Sequence, residues 1–175
     1  MSLHAVVEEI KRIKNKEPES ILYGVWNSIL NFQFPVQEGY ITRPQDEHTS
    51  QSGEKGYSDL HTFHYSGESS TADKFLIVQC KRAGFETRSS VWIEGVGQLN
   101  RYLAATHGTR RVSDRSPVYG IVAIGKSMRV YKYDDDSQSV DDWSPGATVE
   151  AGEVLDLVEH EKKIQRVLNH IRRYH

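Results

Sequence analysis

The sequence predicts an α/β fold, a mixed central β-sheet flanked by helices, and three observations carry that reading. Apolar residues recur at helical spacing near both ends of the chain and again over residues 91–106. The run Phe75-Leu76-Ile77-Val78 is apolar at both parities, the pattern of a strand covered on both faces. Just before it, Ser66-Gly67-Glu68-Ser69-Ser70 separates two strand-like runs with residues that reverse a chain.

Leu3, Val6, Val7, Ile10 and Ile13, with Glu8, Glu9, Lys11 and Lys14 between them, predict an amphipathic helix over residues 3–16. Pro18 ends it and suits the first turn of a second helix over 19–32, where Ile21/Leu22, Val25/Trp26 and Ile29/Leu30 recur every four residues. Residues 36–42 read as a short strand and 43–55 as a polar loop containing Pro44 and Gly53. The hairpin follows, with strands over 57–65 and 73–82. Trp92, Val96, Leu99 and Leu103 mark the inward face of the helix over 91–106. A basic loop with Arg110, Arg111 and Arg115 leads to strands over 118–124 and 128–133, split by a Gly125-Lys126-Ser127 turn. Residues 134–148 read as an exposed acidic loop. Ile164, Val167, Leu168 and Ile171 face inward from a closing helix over 153–173.

A chain of 175 residues suits one domain, with the two helices to residue 32 preceding a core over 33–133, and no internal repeat divides it. Lys and Arg number 22 against 24 Asp and Glu, a net charge of -2, so a nucleic-acid partner would be held by a local basic patch. One cysteine excludes an internal disulfide, and no stretch approaches the roughly 20 apolar residues of a membrane span. With no secretory signal over residues 1–16, an intracellular, reducing compartment (cytoplasmic or nuclear) is expected. Oligomeric state is left open.

Side chains along a strand alternate faces, so Gln79 and Lys81 point one way and Cys80 the other. A buried strand that ends in an amide and an ammonium calls for an anion nearby, and Asp59 on the preceding strand supplies one. The order of Asp59, a turn, the apolar run, Gln79-x-Lys81 and an amphipathic helix resembles the PD-(D/E)XK, or restriction-endonuclease-like, nuclease superfamily. Gln98-Leu99-Asn100-Arg101-Tyr102 is similar to the Gln-x-x-x-Tyr helix of its RecB-like branch. The layout over roughly residues 17–133 also resembles the N-terminal nuclease domain of type I restriction motor subunits. The resemblance implies an αβββαβ core, a Mg²⁺ or Mn²⁺ cofactor and DNA as substrate. It implies that Asp59, Gln79 and the Cys80 backbone carbonyl hold the metal, that Lys81 orients the attacking water, and that Gln98 and Tyr102 border the site.

Two positions depart from the family pattern: Ser58 stands where it has proline, and Gln79 where it has an acid. A neutral amide is a weaker ligand for a hard cation than a carboxylate, so another acid is needed. Some members carry it on the following helix, twelve or thirteen residues beyond the lysine, and Glu94 stands thirteen after Lys81. On a helical wheel Glu94 lies nearly opposite the Trp92/Val96/Leu99/Leu103 stripe, where a solvated residue is expected. Glu19 resembles the helix-borne acid of other branches; it equally suits a plain first turn. Arg110 and Arg111 are candidate phosphate contacts.

Gly120–Ser127 matches the Walker A expression but is rejected as a phosphate loop: its middle is a β-branched apolar run, and a strand follows Lys126-Ser127. His61 and His64 fall on opposite strand faces and cannot form a close zinc pair; His61 is expected at a polar surface position. The leading functional expectation is a metal-dependent DNA nuclease. Its alternatives are an inactive nucleic-acid-binding domain of the same fold and a protein-interaction domain.

Overall fold

A computed structural model describes residues 4–15, 17–49, 55–67 and 71–175, with 46–49 and 55–58 described by backbone alone. The elements run α1 (His4–Arg12), α2 (Glu19–Gln33), β1 (Tyr40–Thr49), β2 (Lys55–His64), β3 (Asp73–Lys81), α3 (Ser89–His107), β4 (Tyr119–Ile124), β5 (Ser127–Asp134), β6 (Ser139–Asp142), β7 (Leu155–Asp156) and α4 (Glu161–Tyr174). The seven strands form one sheet in the order β1-β2-β3-β4-β5-β6, with β7 also pairing β5. All neighbours are antiparallel except β3 and β4, which run parallel from Leu76↔Tyr119 to Lys81↔Ile124. A parallel pair needs a crossover, and α3 makes it. The succession α2-β1-β2-β3-α3-β4 is the αβββαβ core of the restriction-endonuclease-like fold.

The alternation of β3 sorts its residues into two layers. Leu76, Val78 and Cys80 join the core under α1, α2 and α4, with Leu22, Trp26, Ile29, Val167 and Leu168. Ile77 joins the opposite core under α3, with Trp92, Leu99, Tyr102, Leu103 and Val122. Both faces of β3 and β4 are therefore dry, as their unbroken apolar runs require.

Polar segments depart from expectation for one reason: a strand's backbone pairs whatever its side chains are. Residues 43–49, expected as a loop, complete β1, the polar edge of the sheet, while 50–54 lie outside the described residues. The expected strand over 36–42 begins only at Tyr40, because Pro35 and Gly39 (φ 87°) bracket a single 3₁₀ turn at Val36–Glu38. Within the expected acidic loop, Ser139–Asp142 forms the other edge as β6. The last helix starts at Glu161 rather than 153, because Leu155–Asp156 pairs with β5 and the Asp156 carboxylate then accepts the Val158 and Glu159 N–H groups in a turn. No described helix is long and apolar enough to cross a membrane.

Gly95 sets how closely α3 lies on the sheet. A Cβ there would sit 2.6 Å from Val122 Cγ1, a stiff, fully buried methyl, and 3.8 Å from Lys81 Cγ. Gly95→Ala should therefore cost about 1–3 kcal/mol by overpacking. Gly24→Ala, in a helical position with nothing within 4 Å, should be neutral or stabilising by up to about 1 kcal/mol. Urea midpoints of the two variants check this; equal midpoints would mean that α3 does not depend on the close approach.

Candidate active site

The β2–β3 register ends at Leu60↔Val78, while β2 stays paired with β1 as far as Lys55. The Cys80 N–H, facing the departing β2, would be orphaned, and the Asp59 side chain takes it. Asp59 Oδ2 accepts from Cys80 N at 2.6 Å and from Gln79 Nε2 at 2.7 Å. Its Oδ1 accepts the Tyr23 hydroxyl at 3.1 Å, and the same hydroxyl lies 3.4 Å from Glu19 Oε2, one turn earlier on α2. Lys81, buried to 8% exposure, sends its ammonium to Glu94 Oε1 at 2.8 Å, and Gln98 Nε2 also donates to that oxygen at 3.2 Å. Asp59, Gln79, Tyr23 and Glu19 thus form one set of contacts and Lys81, Glu94 and Gln98 a second, the two adjoining at the end of β3, where the Lys81 charge is felt at Asp59.

Burial pushes the Asp59 carboxyl up to about 6, against the opposing pull of the Cys80 N–H, the Tyr23 hydroxyl and the Lys81 charge; Glu19 adds to the rise. Burial, followed by the charges of Asp59 and Glu19, raises the Tyr23 phenol well above its ordinary range, so it stays a neutral donor. The Lys81 hydrogen bond holds Glu94 below its usual value. Burial raises the Cys80 thiol, which is a packing residue and no nucleophile.

The donor set fits a hard divalent cation. The Gln79 amide spends its nitrogen on Asp59, and its Oε1 is buried with no partner among the described residues. An orphaned buried carbonyl oxygen is costly, and a cation would satisfy it. In an extended strand a residue's N–H and C=O leave along the same edge, so the Cys80 carbonyl emerges beside Asp59. With the Asp59 and Glu19 carboxylates, this gives an all-oxygen set suited to Mg²⁺ or Mn²⁺. Among the described residues no three His, Cys, Asp or Glu side chains cluster as metal ligands, so carbonyls and water would complete the shell.

Glu94 keeps the solvated position expected of it, its side chain 59% exposed, and still reaches the Lys81 ammonium at 2.8 Å. The buried face of α3 is Trp92, Gly95, Leu99, Tyr102, Leu103 and His107, turned by roughly 25° from the expected stripe at 100° per residue. Glu94 stays on the outer side of α3, and the close approach of the helix at Gly95 brings it within reach of Lys81. His61, expected at the surface, is fully buried instead, because α3 covers this face of β2; its Nδ1 lies 2.7 Å from the Tyr102 hydroxyl. Tyr102, expected to border the site, is 1% exposed and packed against His61. Arg110 is likewise withdrawn from the surface, held bidentate by Asp135 at 2.6 and 2.7 Å and bonded to the Ser116 carbonyl. Arg111 is exposed and pairs with Asp114 at 2.9 Å. His64 faces the other layer, against Tyr40 and His175, as alternation predicts. Lys126 sits in the β4–β5 turn, as the rejection of a phosphate loop requires. Tyr23 was not foreseen; its one signal was the i,i+4 spacing from Glu19.

No family model matches the chain, and no curated protein matches it. Two solved structures align with 98% of the chain at 7% identity. They are NucC of P. aeruginosa ATCC27853 in its cAAA-bound form (TM-score 0.47, 88% of that chain covered) and NucC of E. coli MS115-1 in its cAAA-bound form (TM-score 0.48, 87% covered). A superposition this loose leaves the site to be read from its own residues.

The raised Asp59 carboxyl has a definite sign in stability. The fold favours its protonated form, so its contribution is best at low pH and is lost as pH rises from about 4 to about 6. Asp59→Asn should therefore gain on the wild type by on the order of 2–3 kcal/mol between pH 4 and pH 7.5. Chemical denaturation across that range measures it; a difference independent of pH would mean that the carboxylate is solvated.

Proposed function

We propose that this protein is a metal-dependent nuclease that hydrolyses DNA phosphodiester bonds. The observation that carries the proposal is the convergence of Asp59, the unsatisfied Gln79 Oε1 and the Cys80 backbone beside a buried lysine fixed by Glu94. Asp59, Gln79 Oε1, the Cys80 carbonyl and Glu19 would hold Mg²⁺ or Mn²⁺, which supplies a Lewis acid and lowers the pKa of bound water. Lys81 places a positive charge beside the scissile phosphate and orients the attacking water. Glu94 holds that ammonium still, with Gln98 donating to the same Glu94 oxygen, and Tyr23 donates its one proton to Asp59 with Glu19 beside it. Arg111, exposed on the loop after α3, is a candidate backbone phosphate contact. Asp59 must be ionised to hold a cation, so activity should rise with pH through about 6.

The test is cleavage of double- and single-stranded DNA with Mg²⁺ and with Mn²⁺. Mn²⁺ should be preferred, because an amide in place of a carboxylate suits the more tolerant cation. Lys81→Ala and Asp59→Ala should each lose about 10²-fold or more. Salt-dependent DNA binding with no cleavage under either metal would replace the proposal with a non-catalytic nucleic-acid-binding domain.

Calorimetric titration separates the metal site from the chemistry. Gln79→Glu should bind Mn²⁺ more tightly than wild type, by about tenfold or more, and should be less stable without metal, because its carboxylate replaces the amide that donates to Asp59 at 2.7 Å. Equal, weak binding in both, unchanged by Asp59→Ala, would mean that this is no metal site.

A further inference from the structure

A second concave site lies at the other end of the sheet. The candidate active site opens where Lys81 and Ile124 end their strands, whereas Tyr119 begins β4 at the opposite end. From Tyr119 a series of rings runs outward: Trp143 at 4.8 Å, His170 at 5.1 Å from Trp143, and Tyr174 at 4.5 Å from His170. Tyr174 ends the series 52% exposed. Beside it, a cavity of about 390 Å³ lies between α4 and the backbone of residues 145–148.

Its polar lining consists of Thr148, Arg166, Asn169, His170, Arg173 and Tyr174, with no carboxylate among them. Positions 166, 169, 170 and 173 share one face of α4. Asn169 accepts at Oδ1 from both Gln33 and Gln165, each at 2.9 Å, which leaves its Nδ2 donors uncommitted. Among the described residues neither Arg166 nor Arg173 has an acidic partner. Their neighbours on α4 do: Lys163 pairs with Glu153 and Arg172 with Glu38. A cation in the last turn of a helix answers its dipole, but that accounts for neither Arg166 in mid-helix nor the cavity. Burial and the charges of Arg173 and Lys132 hold His170 below its ordinary value, a sign of uncompensated positive potential here.

We propose that this cavity binds a nucleoside phosphate, its phosphate held by Arg166 and Arg173 with help from Asn169 Nδ2, and its base stacked on the half-exposed ring of Tyr174, where the Arg173 guanidinium already lies 6.0 Å from the ring centroid. Two guanidinium groups on one helix face, with an exposed ring a residue away, match a dianion joined to a planar ring. An acidic peptide would find the first feature useful and the second idle. The same chemistry is offered by a free 5′-mononucleotide and by the 5′-phosphorylated end of a strand.

The test is calorimetric titration of the full chain in metal-free buffer, which leaves the proposed hydrolytic site silent. The probes are AMP, adenosine, ribose 5-phosphate, inorganic phosphate, and a short single-stranded oligonucleotide with and without a 5′-phosphate. AMP should bind more tightly than the three fragments. Arg166→Gln and Arg173→Gln should each weaken it about tenfold or more, with unchanged melting temperatures because both side chains are exposed. Tyr174→Ala should weaken AMP while leaving inorganic phosphate unaffected. A 5′-phosphorylated oligonucleotide that outbinds AMP assigns the site to strand ends; the reverse assigns it to free nucleotide. No AMP binding, or AMP binding indifferent to both arginine variants, overturns the proposal. Neither result bears on Asp59 or Lys81, so the two sites stand or fall separately.

Discussion

One backbone N–H organises the active end of this fold. Where β2 leaves β3, the Cys80 amide loses its strand partner, and an unpaired buried N–H costs about 1–3 kcal/mol. Asp59 fills the vacancy with a side chain, which fixes the last turn of β3 and ties it to α2 through Tyr23. The cost is a carboxylate held out of water, visible in its raised pKa. Whatever relieves that carboxylate, a proton or a cation, stabilises the junction of α2, β2 and β3 together. Binding and local order are therefore linked by ordinary mass action.

The opposite wall depends on packing rather than charge. α3 lies against β4 because Gly95 presents no side chain to Val122 and Gly120 presents none to Leu99. The closeness brings Glu94 over β3 and lets an exposed carboxylate reach a buried ammonium. Lys81 is then an oriented cation rather than a mobile one, as the proposed role beside a phosphate would require.

These two devices mark what was legible in the sequence. The hairpin, the doubly covered strand and the parity that puts Gln79 and Lys81 on one face follow from period-2 alternation, and the register reproduces them. The Glu94–Lys81 pair was hidden because a hydrophobic wheel weighs side chains and Gly95 has none, so the close approach of α3 to the sheet leaves no mark on it. The extent of β1 and the existence of β6 were hidden because main-chain pairing leaves no mark on the polarity of an edge strand. Tyr23 was hidden differently: its spacing from Glu19 is local, but its second partner, Asp59, is 36 residues away, and only the fold joins them.

If the proposed cation site is right, charge accounting favours one acid beside Asp59. Glu94 is already answered by Lys81 at 2.8 Å, and drawing it away would leave the largely buried ammonium without its carboxylate. Glu19 has no such duty, and the Tyr23 hydroxyl lies between it and Asp59. A divalent ion with Asp59 and Glu19 is neutral overall, and Gln79 adds an oxygen without adding charge. A glutamate at 79 would leave that cluster with one negative charge too many and, without metal, would set two carboxylates at hydrogen-bond distance. Gln79 is therefore not simply a lost acid. Under the proposed function it would trade cation affinity for a junction that holds together without the cation, through its own hydrogen bond to Asp59.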